Sequence, residues 1–428
     1  MSTKTRSDLP PVFILEMIDH GYAIARELSI YGIRIVGFLP QVKCIESHSS
    51  IPYKTYKIPT NDEGRLQVLM EAQKEFSPVK PVLILTAEND FPFMYKYFET
   101  LQSIFSFEMP PYPTLKQMLE KDLFNQFARQ YNVKIPASIE VMKGQPLSVD
   151  LFKGLQFPLI IKPKHRDKEW KRHFKSQKAI LVSSPEEACS SCESIFGTNE
   201  RLVLQEWVPG PDSNIHFCLT YITSKGETLD SSCGIKIHQH PILFGNTSAA
   251  IPVNNPYIVE ETRRIFKEAN IIGFCSVEYK KHAITGEFYV IEPNVGRTNR
   301  NVLIAMLGKH KVVLKAYCHL AGIPTLPQKR IFDDYIYIEE NLDVKSCLDY
   351  HHYQSMSWRN YFKLLKSKKI VPMFISRRDP LVSLLVLGSM VKHLMYYIFH
   401  GHTKHFNQNG TMGQLIKANE KIYSSAQN

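Results

Sequence analysis

Glu278, Glu292 and Asn294 are the residues whose types and spacing first suggest chemistry. The runs FCSVEYKK and EFYVIEPN flank a short HAITG stretch, the pattern of a β-hairpin. A hairpin centred on Thr285 sets Glu278 opposite Glu292, and strand alternation puts Asn294 on the same face. Two carboxylates directly across a sheet repel each other unless something positive lies between them. Hard oxygen donors suit Mg²⁺, which takes one or two carboxylates together with substrate phosphates. Arg297 and Arg300 follow in VGRTNRN, and guanidinium groups complement phosphate. On an exposed hairpin the same acids would be solvated charges, but apolar neighbours on both sides argue against that.

A second group lies upstream. Lys162 ends the apolar run FPLIIKP, where an unpaired ammonium is costly to desolvate and a phosphate oxygen would compensate it. From Lys162 to Lys178 there are eight Lys or Arg against Asp167 and Glu169, a net +6 out of +11 for the chain. Such a loop suits a polyphosphate clamp or a nucleic-acid backbone. In RLVLQEWVPGPDSN, Gln205 and Glu206 end a strand, backbone groups at its exit can read an adenine edge, and Asp212 can accept ribose hydroxyls. Cys189 and Cys192 form a C-x-x-C with no second pair to complete a tetrahedral site. His238 and His240 alternate on one strand, which is weak evidence for metal.

The elements that must position these groups follow from periodicity. PVFILEM, IRIVGFL and PVLILT read as buried strands separated by the helical HGYAIARELSIYG and EGRLQVLMEAQKEF, a βαβ pattern with a parallel sheet. No G-x-G-x-x-G follows the first strand, so dinucleotide binding is poorly supported. EMPPYP closes this region near residue 113, and one helix is expected from about Thr114 to Tyr131. Strands dominate from Phe157 to about residue 327, interrupted by the helical SPEEACSSCESIF and NPYIVEETRRIFKEAN. A chain of 428 residues with 44% hydrophobic composition has room for two or three packed domains. Its eight cysteines lack framework spacing, which favours a reducing compartment, and the N-terminus lacks an apolar signal core. Residues 380–399 are apolar and about long enough to cross a bilayer, but Lys392 and His393 interrupt them. An interfacial helix and a helix packed on its own domain are the two readings of that stretch.

In order and spacing, FPLIIKP, the basic loop with EWKRHF, LQEWVPGPD and VIEPNVGR resemble the ATP-grasp superfamily, over roughly residues 10–330. Within it the chain looks most like the carboxylate–amine ligase group that includes D-aspartate ligase. The resemblance implies an α/β and α+β architecture: a Rossmann-like pre-ATP-grasp domain over 1–113, a two-lobed ATP-grasp domain over 114–330, and a C-terminal extension over 331–428. It implies ATP and Mg²⁺, with Mn²⁺ as a substitute. Lys121, Lys162 and Lys178 correspond to nucleotide contacts, Gln205, Glu206, Trp207 and Val208 to the adenine-reading hinge, and Asp212 to the ribose acid. Glu278, Glu292 and Asn294 correspond to the metal ligands, Arg297 with Lys162 and Arg300 to the groups that hold the transferred phosphate, and Lys236 to a further contact. The chain departs from the common pattern in its basic, aromatic loop, and in Gly296 where many members carry an arginine.

The implied reaction joins a carboxylate to an amine through an acyl phosphate, releasing ADP and phosphate. The apolar 380–399 helix adds the expectation of a cell-envelope or polysaccharide precursor, in a cytoplasmic protein at the inner face of the membrane. The rival of a different class is a non-catalytic ATP-binding scaffold; nucleic-acid binding rests on charge alone and is not expected. The chain does not specify its two substrates or its oligomeric state.

Overall fold

The computed structural model describes residues 9–163, 179–197, 199–243, 245–353 and 357–401. Among these, the strands form three sheets. The first is parallel, in the order β3-β2-β1-β4, from β1 (Val12–Ile14), β2 (Ile35–Leu39), β3 (Lys54–Lys57) and β4 (Val82–Ile84). β1, β2 and β4 are wholly buried, as expected of parallel strands covered on both faces. The helices His20–Ser29 and Asp62–Lys74 make the crossovers, and the Asn61 side chain caps the second by accepting from the Gly64 amide at 2.7 Å.

Where one helix is expected from Thr114 to Tyr131, there are two, Tyr112–Leu119 and Lys121–Gln130, separated by Glu120 in extended conformation. The reason lies in the apolar phases. Leu115 and Met118 would face one side of a continuous helix while Phe124, Phe127 and Ala128 faced the other, at 100° per residue. The break turns both sets into one core. It also leaves Lys121 on the first turn of the second helix.

The second sheet is antiparallel, in the order β5-β8-β6-β7: β5 (Ser138–Met142), β6 (Leu159–Pro163), β7 (Ile180–Val182) and β8 (Arg201–Glu206). The third has seven strands in the order β13-β12-β9-β10-β11-β14-β15. These are β9 (Ile215–Ile222), β10 (Thr228–His240), β11 (Asn246–Val253), β12 (Gly273–Lys281), β13 (Phe288–Val295), β14 (Tyr335–Ile338) and β15 (Lys369–Pro372). The last two strands lie beyond residue 330, so the chain that follows shares its sheet with the residues before it. One apolar core joins Phe13, Phe38 and Leu83 of the first sheet to Cys275, Val277 and Val295 of the third. The loops at the carboxyl ends of β1 and β4 are thereby fixed against the β12–β13 hairpin.

Candidate active site

The hairpin register pairs Glu278 with Glu292 and Ser276 with Asn294, as centring on Thr285 predicts. Nearer the turn the register shifts, with Tyr279 opposite Val290, so Ile291 is the extra residue of a β-bulge. On the other side of β12, Glu278 is in register with Phe217 of β9, which in turn pairs with Gly234 of β10. Opposed residues share a face, so Glu292, Glu278, Phe217 and Gly234 form one row. A Cβ at Gly234 would fall 2.3 Å from the Phe217 ring, so only glycine lets that ring lie over β10.

Lys236, two residues on and on the same face, donates to Glu278 Oε2 at 2.8 Å, and Asn301 Nδ2 donates to Oε1 at 3.2 Å. Glu278 is thus partnered, while Glu292 is open to the cleft although protein surrounds it on most sides. Removal from water raises its pKa, and the nearby Glu278 and Glu88 carboxylates raise it further. Asn294 is buried, and its Oδ1 accepts from Arg297 Nη2 at 2.9 Å, which leaves one lone pair. This donor set fits a divalent cation: two opposed carboxylates and an amide oxygen, with one carboxylate under strain from like charge.

Gly296 has φ +78°, and a Cβ there would meet Leu115 at 2.8 Å. Turn and packing together leave no room for a side chain, so the next residue, Arg297, supplies the cation. Its Nε and Nη2 donate to Glu88 at 3.1 and 2.5 Å. Arg300 pairs with Asp19. Both arginines, Lys236, Glu278, Glu292 and Asn294 line one cleft of about 490 Å³.

Sequence reasoning missed His20, Thr86, Glu88 and Asn89, which form the opposite wall. They follow β1 and β4, and the rule that open parallel sheets bind ligands beyond the carboxyl ends of their strands could have found them. His20 Nε2 lies 3.1 Å from the Thr86 carbonyl. Burial first, and then Arg300 and Arg297, push its pKa down to about 3, so it is neutral at physiological pH.

Lys121, Lys162 and Gln205 line a neighbouring cleft of about 420 Å³ between the second and third sheets. Lys162 Nζ donates to Gln205 Oε1 at 3.1 Å. Burial lowers the pKa of Lys121 and the Glu292 charge opposes that shift, which links the two clefts electrostatically. At the exit of β8, the Glu206 carboxylate accepts from the Gln156 amide at 2.7 Å, and the Trp207 amide donates to the Pro158 carbonyl at 3.0 Å. Trp207 and Leu243 pack on buried Ile160, Ala179 and Leu181, a small apolar group at the exit of β8. Val208 is buried. Asp212 Oδ2 accepts from the Leu243 amide at 2.9 Å and from the Tyr350 hydroxyl, while its buried Oδ1 has no hydrogen-bond partner among the described residues. Lys178 and the basic stretch before it lie outside the described residues.

Solved structures share this fold. A biotin carboxylase from Campylobacter jejuni, in complex with a βγ-ATP analogue, has TM-score 0.56 at 11% identity, covering 78% of this chain and 75% of its own. N5-carboxyaminoimidazole synthetase from Staphylococcus aureus, complexed with ADP, has TM-score 0.55 at 14% identity, covering 83% and 86%. The fold is that of the ATP-grasp enzymes. In sequence, the chain is 20% identical over 264 residues to D-aspartate ligase from Enterococcus faecium, covering 59% of this chain and 61% of that one. The chain thus spans under two thirds of the curated relative it matches. No family model matches the chain.

Proposed function

We propose that the protein is an ATP-dependent carboxylate–amine ligase that forms an amide bond through an acyl phosphate, with release of ADP and phosphate. The observation that carries this reading is the opposition of Glu278 and Glu292 in a cleft that also holds Lys236, Arg297 and Arg300. Glu278, Glu292 and Asn294 would hold Mg²⁺, which neutralises phosphate charge when bound. Mn²⁺ would substitute. Phosphoryl transfer needs alignment and charge neutralisation more than covalent help. Lys121 and Lys162 take the nucleotide phosphates from the neighbouring cleft, and Arg297 and Arg300 take the transferred phosphate once they leave Glu88 and Asp19. The adenine lies against Trp207 and Leu243, with Gln205 to Val208 as the hinge and Asp212 Oδ1 toward the ribose. The wall from His20 to Asn89 would face the carboxylate and amine.

The corresponding division is a pre-ATP-grasp domain over 1–113, an ATP-grasp domain over 114–330 and an extension over 331–428. Lys178, as the resemblance implies, would be a further nucleotide contact. The deciding experiment is ADP release from Mg·ATP across a panel of amino acids and small carboxylates. Release dependent on one acid and one amine supports the ligase, and silence throughout the panel favours the scaffold reading.

A membrane role is the second part of the proposal. The helix Pro380–His400 is long and apolar enough to cross a membrane, with mean hydropathy 1.6, yet only 11% of its most apolar window is buried. One face packs on the body, while Leu384, Val391, Ile398 and Phe399 are exposed beside Lys392 and His400, the mixed surface of a helix lying in a bilayer interface. That placement suits a cell-envelope or polysaccharide precursor and a protein at the inner face of the cytoplasmic membrane.

A further inference from the structure

The helix Pro380–His400 is apolar on two opposite sides. Val382, Val386 and Met390 pack on Tyr22, Phe374 and their neighbours. At 100° per residue, Leu384, Val391, Met395 and Ile398 fall on the far side, with exposures of 65%, 59%, 44% and 63%. Its first turn is fixed to the body. Asp379, fully buried just before it, accepts from the Tyr22 hydroxyl at 3.0 Å and from Ser49 Oγ at 2.5 Å.

The residues that lead into this helix, Ile375 to Arg378, line a cleft of about 890 Å³ whose charged lining is entirely basic: Arg26, Arg330, Lys369, Arg377 and Arg378. Glu27 is the acid paired with this group, at 3.3 Å from Arg26 and 3.4 Å from Arg330. Lys369 and Arg377 have no ion pair among the described residues. Arg26 is 5% exposed, and its Nε has no hydrogen-bond partner among the described residues. Ile370, 45% exposed, adds an apolar edge. An anion on this cleft would thus lie beside Arg377 and Arg378, two to three residues before the apolar helix begins at Pro380. That pairing matches an anionic phospholipid, with phosphate and acyl chain joined in one molecule, better than a free phosphate.

We infer that the cleft of Arg26, Arg330, Lys369, Arg377 and Arg378 binds the phosphate headgroup of an anionic phospholipid and so seats the helix on an anionic bilayer surface. The inference rests on the membrane reading above and names the lipid class. Cations near such a surface each contribute about fivefold in binding.

The test is co-sedimentation of the full chain with vesicles of phosphatidylcholine alone and of phosphatidylcholine with phosphatidylglycerol. Wild type is expected to bind the mixed vesicles at least ~20-fold more tightly. The surface double variant Lys369→Gln/Arg377→Gln should lose most of that preference while keeping its thermal midpoint, ADP release and residual binding to neutral vesicles. Glycerol phosphate at millimolar concentration should not compete, and full competition would make the cleft a free-phosphate site and overturn the inference. A double variant that keeps the wild-type preference overturns the headgroup site and leaves the membrane reading intact. Binding of wild type to neither vesicle overturns both, and a dimer by sedimentation equilibrium would then identify a second copy as the cover for the helix.

Discussion

Strand β10 feeds two clusters of the same chemistry only two residues apart. Lys236 points into the cleft of Glu278 and Glu292, whereas His238 points into a pocket with Asp343 and Cys347. The ligating atoms of His238, Asp343 and Cys347 lie within 4.8 Å of one another and all three residues are buried, the residue types of a metal site. Yet Asp343 is already saturated. Its Oδ1 lies 3.0 Å from His238 Nδ1 and accepts from Ser248 Oγ at 3.1 Å, and its Oδ2 accepts from the Tyr361 hydroxyl at 2.5 Å. Cys347 Sγ is 3.6 Å from the same carboxylate. Nothing comparable satisfies Glu292, which faces a second carboxylate across the hairpin. The two clusters therefore differ: a closed network specifies packing, while Glu292, opposite the Lys236-paired Glu278, is left open to the cleft.

The largest expected effect tests the open side. Glu292→Gln should lower ADP release at least ~10³-fold, about 4 kcal/mol of transition-state stabilisation, without lowering the thermal midpoint. An amide there removes the repulsion that raises the Glu292 pKa, so stability should hold or rise. Near-normal turnover in this variant would sink the metal assignment. Asp343→Asn tests the closed side. It should cost ~3 kcal/mol in urea unfolding, because buried donors lose their charged acceptor. ADP release per folded molecule should stay within about twofold of wild type; a loss like that of Glu292→Gln would place the pocket in the catalytic machinery.

The hairpin was legible because its information is local. Two apolar strands with a five-residue loop set the register, and alternation did the rest. The same logic could not see the bulge at Ile291, which serves the turn end of the hairpin and leaves the Glu278–Glu292 pair untouched. The broken helix at Glu120 was readable in principle, since its two apolar phases conflict, but only once both were required to meet one core. His20 and Glu88 were missed for another reason: only the general rule for the carboxyl ends of parallel strands points to them. They come to Glu292 through packing of the first sheet on the third, across more than 200 residues, and nothing in their own neighbourhoods announces it. β14 and β15 were hidden likewise: YIYI and KIVP are short, and the sheet edge at β11 that they extend is a tertiary fact.

Glu339 sharpens the comparison through pH. Its amide is bonded to the Ser248 carbonyl at 2.7 Å, while its buried Oε2 has no hydrogen-bond partner among the described residues. Burial pushes its pKa up to about 8, against a lowering pull from Arg300. With the folded pKa above the unfolded one, the folded state binds the extra proton between the usual carboxylate range and pH 8. Stability is therefore full below that window and falls as pH rises through it. Glu339→Gln should flatten the slope, with a gain of ~2 kcal/mol at pH 9 relative to wild type, read from urea midpoints at pH 5 and pH 9. An unchanged slope would mean that Glu339 is ionised throughout and paired with Arg300.

The smallest effect concerns Glu88, which decides whether the open side is held open. Arg297 gives Glu88 two hydrogen bonds and Asn294 a third. Glu88 is partly exposed, so this ion pair contributes at most about 1 kcal/mol. A phosphate arriving at Arg297 has to displace that carboxylate. Glu88→Gln removes the competitor, and it also removes one of the negative charges that raise the Glu292 pKa. Both changes act in the same direction: the KM for ATP should fall two- to fivefold, and the acid limb of the activity profile should move to lower pH. Weaker ATP binding in this variant would reverse the interpretation. Glu88 would then be the group that aims Arg297 at the phosphate, and the cleft would be as pre-set by its own ion pairs as the pocket around Asp343.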